Sequence, residues 1–120
     1  MSGDGEKTNE AISANVKRGS AELAVLSVLE SGPLHGYEIA KRIEQRTDGV
    51  LSFDVASLYP LLYEMEKRGW LNAEWEQAQG GRKRRCYQLT AEGGKRLAPL
   101  RKQWKSFFEA LNRLAGVQNA

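Results

Sequence analysis

The sequence is poor in the residues that build frameworks without a large core. It has one cysteine, Cys86, and one histidine, His35, in 120 residues. A lone cysteine excludes an intrachain disulfide, and one Cys with one His falls far short of a structural zinc site. No apolar run approaches the roughly 20 residues needed to cross a bilayer. The segment Met1 to Asn15 lacks the apolar centre of a signal peptide, so the expected location is the cytoplasm, with no membrane partner. There is no phosphate-binding Gly loop, no ligand cluster and no nucleophile with a base at a recognisable spacing, so the chain is expected not to be an enzyme and to need no cofactor. Its length allows one compact domain.

What is present is 41% hydrophobic and 28% charged, with a net charge of +3. That describes a globular chain rather than a disordered one. The charge is unevenly placed. Asp4, Glu6 and Glu10 against Lys7 give the first 16 residues −2, so residues 17–120 carry +5. Residues 1–16 are polar and without periodicity and read as a flexible arm.

Along the rest of the chain, Leu23, Ala24, Leu26, Val28 and Leu29 predict a first helix over Ser20–Glu30, closed by Ser31-Gly32-Pro33. Tyr37, Ile39, Ala40 and Ile43, with charges between them, predict a short second helix ending before Asp48-Gly49. A third follows, capped by Asp54 or Ser57, with Leu58, Leu61, Leu62 and Met65 on one face and Tyr59, Tyr63, Glu66 and Lys67 on another. With Ser57 as the cap, Pro60 falls in the first turn, where a missing N–H costs nothing. Trp70–Glu76 and Lys83–Leu89 alternate as two strands joined across Gln79-Gly80-Gly81.

Thr90 is a good cap for a last helix, with Glu92 in its first turn. In it Leu97, Leu100, Trp104, Phe107, Leu111 and Leu114 form a heptad seam, widened by Phe108. Such a helix outruns so small a body, so the seam is expected to meet a second copy of the chain. Pro99 kinks this helix or splits it near Ala98.

The fold class read from this order is mainly α with a small β-hairpin, a winged helix-turn-helix over residues 17–90 followed by a C-terminal dimerisation helix and tail over 91–120. In that arrangement the third helix enters the major groove of double-stranded DNA and the hairpin tip reaches its backbone. Arg82, Lys83, Arg84 and Arg85 are four consecutive cations beside two glycines, a cluster suited to phosphates. Tyr59 and Tyr63 lie off the apolar stripe and are candidates for base or phosphate contact. Ser57 caps, binds phosphate or does both, and Tyr37 either packs or contacts phosphate. His35, with no supporting cysteine or carboxylate constellation, is expected to cap or pack. Cys86 stands in a basic strand, where cations would lower a thiol's pKa and make a redox sensor conceivable; a small, buried structural cysteine is the plainer reading.

Four motifs in this order resemble one family. Leu34-His35-Gly36-Tyr37-Glu38-Ile39, Ser57-Leu58-Tyr59-Pro60 with Leu62 and Glu64, Gly69-Trp70-Leu71, and Arg85-Cys86-Tyr87-Gln88-Leu89-Thr90-x-x-Gly93 are similar to the PadR family of bacterial transcriptional regulators, from about Arg18 to the end. The short tail resembles the family's smaller subgroup. The resemblance implies a homodimeric repressor that binds a palindromic promoter element and is released by a ligand or signal. The residues expected to contact DNA are Arg18, Tyr37, Ser57, Tyr59, Pro60, Tyr63 and the cations at 82–85, and of these Tyr37 matches a family position near the backbone. Two departures stand out: Cys86 replaces an aromatic or basic residue, and Pro99 a hydrophobic one. Some small members bind planar drugs at the dimer centre, so Trp104, with Phe108, is a candidate for a planar aromatic effector; a plain hydrophobic dimer core is the alternative. A further alternative for the chain is a winged-helix adaptor that binds protein and not DNA.

Overall fold

The computed structural model describes residues 14–77 and 79–116, with side chains from residue 20 onward. In chain order the elements are α1 (Ala14–Leu29), β1 (Leu34–His35), α2 (Gly36–Arg46), α3 (Val55–Lys67), β2 (Leu71–Gln77), β3 (Lys83–Leu89) and α4 (Ala91–Ala115). A single 3-10 turn over Gln79–Gly81 joins β2 to β3. This is the winged helix-turn-helix order, mainly helical with a small sheet. Among the described residues no helix is long and apolar enough to cross a membrane.

α1 begins at Ala14, earlier than Ser20, so residues 14–16 of the expected arm are helical. Residues 1–13 of that arm lie outside the described residues. α1 supplies Val25, Leu26, Val28 and Leu29 to the core, where they meet Ile39 and Ile43 of α2 and Leu58, Leu62 and Met65 of α3. Burying each of these side chains contributes about 1.5–3 kcal/mol. The same contacts fix α3 against α2, so its remaining faces are free to point outward.

α3 starts at Val55 with Asp54 as its N-cap residue, not at Ser57. The Ser57 hydroxyl instead donates to the Asp54 carbonyl at 2.7 Å. Pro60 is therefore the sixth helical residue rather than a first-turn one, and the Ala56 carbonyl lacks its i+4 donor. The core contacts of Leu58 and Leu62 on either side hold the helix through this gap.

The sheet has three strands in the order β1-β3-β2, all antiparallel. The expected hairpin thus gains a two-residue edge, with Leu34 opposite Tyr87 and His35 opposite Cys86. On the core face Leu34, Leu71 and Tyr87 are buried. At the tip Gly80 and Gly81 both have φ of +80°, a conformation that favours glycine.

α4 starts as its sequence indicates. The Thr90 hydroxyl accepts from the Gly93 N–H at 2.9 Å and donates to the Gly69 carbonyl at 2.6 Å. A Cβ on Gly93 would land on the Trp70 carbonyl oxygen, which explains glycine in the Thr90-x-x-Gly93 motif. α4 continues through Pro99, which lies on its exposed side, so the helix is not split there. Leu97 and Leu100 are buried in the chain's own core. This corrects their assignment to an intersubunit seam: the first two positions of the heptad pattern are covered by α1 and β3 of the same chain. Arg101 reaches Glu30 at 2.7 Å and ties the middle of α4 to the end of α1.

Candidate nucleic-acid interface

α3 and the wing formed by β2 and β3 flank one concave surface. Its lining includes Tyr37 and Gly36 at the start of α2, Tyr59 and Tyr63 of α3, and Trp75, Lys83 and Arg84 of the wing. The cleft encloses about 450 Å³ and opens to solvent. Tyr59 is 41% and Tyr63 52% exposed, and Tyr37 and Trp75 are more so. Four aromatic rings with free edges and two cations thus share a face that the core does not use.

Tyr59 is positioned by the start of α2. Its ring and hydroxyl come so close to Gly36 that a Cβ there would sit 3.1–3.2 Å from Cε1 and the hydroxyl oxygen. Glycine at 36 is thereby explained by close approach. The neighbouring Tyr37 projects from the first turn of α2, where backbone N–H groups face outward and favour anions. Ser57 and Pro60 are both exposed on the first two turns of α3.

The four wing cations do not act alike. Arg82, Lys83 and Arg84 are exposed at the tip. Arg85 is turned inward: its Nη2 is 2.9 Å from Glu66 Oε2, and its guanidinium lies 5.5–5.8 Å from the ring centroids of Trp75, Tyr63 and Tyr87. Burial opposes the Arg85 charge, but the Glu66 carboxylate with Tyr87 and Tyr63 outweighs it and holds the pKa above its ordinary value. Arg85 therefore braces the wing against α3 instead of standing among the free cations. Strand alternation separates Arg85 from Arg84 but sets exposed Lys83 on the same face, so the inward turn of Arg85 is read from its contacts.

Arg18 lies in α1. Of the expected seam, Trp104 is half-buried against the core, while Phe107, Phe108, Leu111 and Leu114 are exposed. Leu114 is 85% exposed. Trp104 and Phe108, with centroids 5.7 Å apart, border an apolar groove of about 260 Å³ between α1, α2 and α4.

One expectation about the sheet's outer face is overturned, and one alternative loses its support. His35 does have carboxylates and a cysteine beside it: Nδ1 is 2.8 Å from Glu38 Oε1, Nε2 is 3.0 Å from Glu76 Oε1, and Cys86 is its partner across the ladder. Its capping role stands, because the His35 backbone N–H donates to Glu38 Oε1 at 2.9 Å. Cys86 is not activated by cations. Burial, followed by the Glu76 carboxylate, pushes its thiol above the ordinary value, which removes the argument for a low-pKa redox sensor.

Comparison with known proteins agrees with the fold. The sequence profile of the transcriptional regulator PadR-like family matches residues 25–99. A transcriptional regulator from Clostridium thermocellum, 29% identical, superposes with a TM-score of 0.77 over 87% of this chain and 98% of that one. A PadR family transcriptional regulator from Eggerthella lenta is 28% identical, with a TM-score of 0.73 over 87% of this chain and 88% of that one. Bacillus subtilis PadR, solved in complex with operator DNA, shares the fold at 22% identity, with a TM-score of 0.62 over 67% of this chain and 45% of that one. The fold is that of a winged-helix regulator. The chain belongs to the PadR-like family of transcriptional regulators, and it is not an enzyme.

Proposed function

We propose that the chain is a sequence-specific, double-stranded DNA-binding repressor that acts as a homodimer in the cytoplasm. The observation that carries this reading is the shared face of α3 and the wing: exposed Tyr59 and Tyr63 stand beside the exposed cations Arg82, Lys83 and Arg84, which follow a glycine turn. Arg82, Lys83 and Arg84 contact phosphates and set the position on the duplex, with Ser57 and Tyr37 adding neutral phosphate contacts. Tyr59 and Tyr63, with Pro60 beside them, meet base edges in the major groove. Arg85 keeps the wing at its angle through Glu66. Arg18 is assigned to flanking backbone.

The dimer forms through the outer half of α4. A helix of 25 residues is about 37 Å long, and the residues it buries among those described, Gly93, Leu97 and Leu100, all lie in its first half. Phe107, Phe108, Leu111 and Leu114 form an apolar strip on the remainder, and Trp104 lies where the strip meets the groove. The groove is small for a drug-sized ligand, and its pair across a two-fold axis doubles the space. A planar aromatic effector stacking between two copies of Trp104 would change the crossing of the α4 helices and hence the separation of the two α3 helices. Release requires that the effector bind the two arrangements with different affinity.

The direct test is an electrophoretic shift with the promoter of the chain's own gene. A shifted band that is competed by that promoter and not by random duplex supports the reading. Failure to shift it, combined with retention of an acidic protein partner by the wing, contradicts it. Quenching of Trp104 fluorescence by planar dyes in a Trp70 and Trp75 double-Phe variant tests the effector site, and unchanged emission refutes it.

A further inference from the structure

The three short strands each place one metal-ligating side chain on the same outer face of the sheet. His35 of β1 is opposite Cys86 of β3, and Cys86 is opposite Glu74 of β2. Side chains alternate along a strand, so Glu76, two residues from Glu74, shares this face. The donor atoms of His35, Glu76 and Cys86 lie within 4.8 Å of one another. A tetrahedral zinc ion with bonds of about 2.0–2.3 Å separates its ligand atoms by roughly 3.3–3.8 Å. His35 Nε2 and Glu76 Oε1, 3.0 Å apart, need only open slightly, and the wider separations need to close by at most about 1 Å. Glu76, whose side chain is half exposed, has the length and freedom to supply the movement.

The histidine ring provides a second, independent observation. Glu38 Oε1 is fixed by the His35 backbone N–H at 2.9 Å and lies 2.8 Å from the ring's Nδ1. A carboxylate on Nδ1 selects the tautomer with its proton there and turns the Nε2 lone pair toward Glu76 and Cys86. This carboxylate–histidine arrangement is the usual support of a metal-bound imidazole. Nε2 faces an oxygen that only accepts, 3.0 Å away. A second ring proton satisfies that pair, and so does a cation between the two atoms; a sulfur donor in the same sphere favours the cation.

We propose that His35 Nε2, the Glu76 carboxylate and Cys86 Sγ bind one thiophilic divalent transition-metal ion of the zinc type, with solvent in the fourth position and Glu38 as the positioning residue. Nitrogen, oxygen and sulfur donors together suit zinc or cobalt and not magnesium or calcium. On binding, the Cys86 thiol releases its proton to solvent and coordinates as thiolate, so thiolate and carboxylate together balance the ion's charge. The exclusion of a four-ligand structural site from composition still holds for these residues. A three-ligand site escaped it because positions 35, 76 and 86 become neighbours only through the β1-β3-β2 order.

The test is titration of the full, untagged chain with cobalt(II). One equivalent per chain is expected to give a thiolate-to-cobalt charge-transfer band in the near ultraviolet and the strong visible bands of four-coordinate cobalt, both abolished by added zinc. Cys86→Ser should lose the charge-transfer band. Glu76→Gln should weaken binding. Glu38→Gln should keep the band while weakening affinity by about 10–100-fold, the range for outer-shell partners of a ligating histidine. Because Cys86 is the chain's one cysteine, zinc-dependent protection against alkylation reads the same site without any substitution. No charge-transfer band at saturation, a band that survives Cys86→Ser, or unchanged alkylation with zinc present overturns the proposal. Neither readout involves DNA, so its failure is distinct from failure of the repressor reading.

Discussion

The division of labour within Arg82–Arg85 gives the most quantitative prediction. Each phosphate neutralised by a cation releases a counterion and contributes about 0.9 to the slope of log K against log salt. Replacing Arg82, Lys83 and Arg84 with alanine removes three exposed cations per wing. The slope should fall by about 2.7 per chain and about 5.4 for a dimer with both wings engaged. Between 50 and 200 mM salt, a fourfold rise, those six contacts account for about a 10³-fold loss of affinity in the unmodified protein. Arg85→Ala should behave differently. Its guanidinium is paired with Glu66 at 2.9 Å and is only 20% exposed, so its loss leaves a partly desolvated carboxylate and lowers stability by about 1–3 kcal/mol. The slope should barely change. Fluorescence anisotropy of a labelled operator duplex across a salt series, with thermal denaturation of the same proteins, measures both quantities. A triple variant with an undiminished slope would show that the wing tip is not on DNA. An Arg85→Ala protein with intact stability and a slope lowered by about one would refute the bracing role.

Three further outcomes follow from the packing. Leu111→Glu with Leu114→Glu places four carboxylates in a two-fold apolar interface and should give folded monomers in ultracentrifugation that bind a full operator poorly; a dimeric variant removes the α4 assignment. Tyr87 is buried, its hydroxyl has no hydrogen-bond partner among the described residues, and burial holds its phenol above the ordinary pKa. Tyr87→Phe should therefore be neutral or stabilising by about 1 kcal/mol in chemical denaturation, since an unsatisfied buried hydroxyl costs about 1–3 kcal/mol; a clear loss of stability contradicts this. The hydrogen bond from Arg101 holds the Glu30 carboxyl below its ordinary value of 4.5. A depressed folded-state pKa contributes stability that is present above the unfolded value and lost as pH falls through the folded one. Glu30→Gln should remove that part of the acid dependence, and an identical acid profile in the variant argues that the α1–α4 bridge does not persist in solution.

The helices were readable because their apolar positions recur with helical spacing and their ends carry recognisable stops. Leu58, Leu62 and Met65 face inward as their spacing requires, and Thr90 caps α4 as its position before Glu92 and Gly93 indicates. Periodicity fails where it must say what covers a stripe. Leu97 and Leu100 continue the same seam as Leu111 and Leu114, yet among the described residues α1 and β3 cover the first pair and leave the second exposed. Cap preference alone leaves Asp54 and Ser57 both open at the start of α3; the helix begins after Asp54, which sets Pro60 at its sixth residue rather than in the first turn that Ser57 would give. The two residues of β1 are too few to alternate visibly, so the sheet edge and the meeting of His35 with Cys86 and Glu76 could come only from the strand pairing. In the wing, the sequence shows four cations, but the structure is needed to show that Arg85 turns toward Glu66 while its neighbours stay exposed.

The central claim is that two copies of the α3-and-wing face read one operator. Selection of bound genomic fragments by the purified protein, followed by a footprint of the strongest fragment, tests it most directly. The account predicts two protected half-sites related by a dyad, with centres about 34 Å or one helical turn apart, or a multiple of that spacing. Protection of a single isolated site, or recovery of fragments with no common sequence, would contradict it.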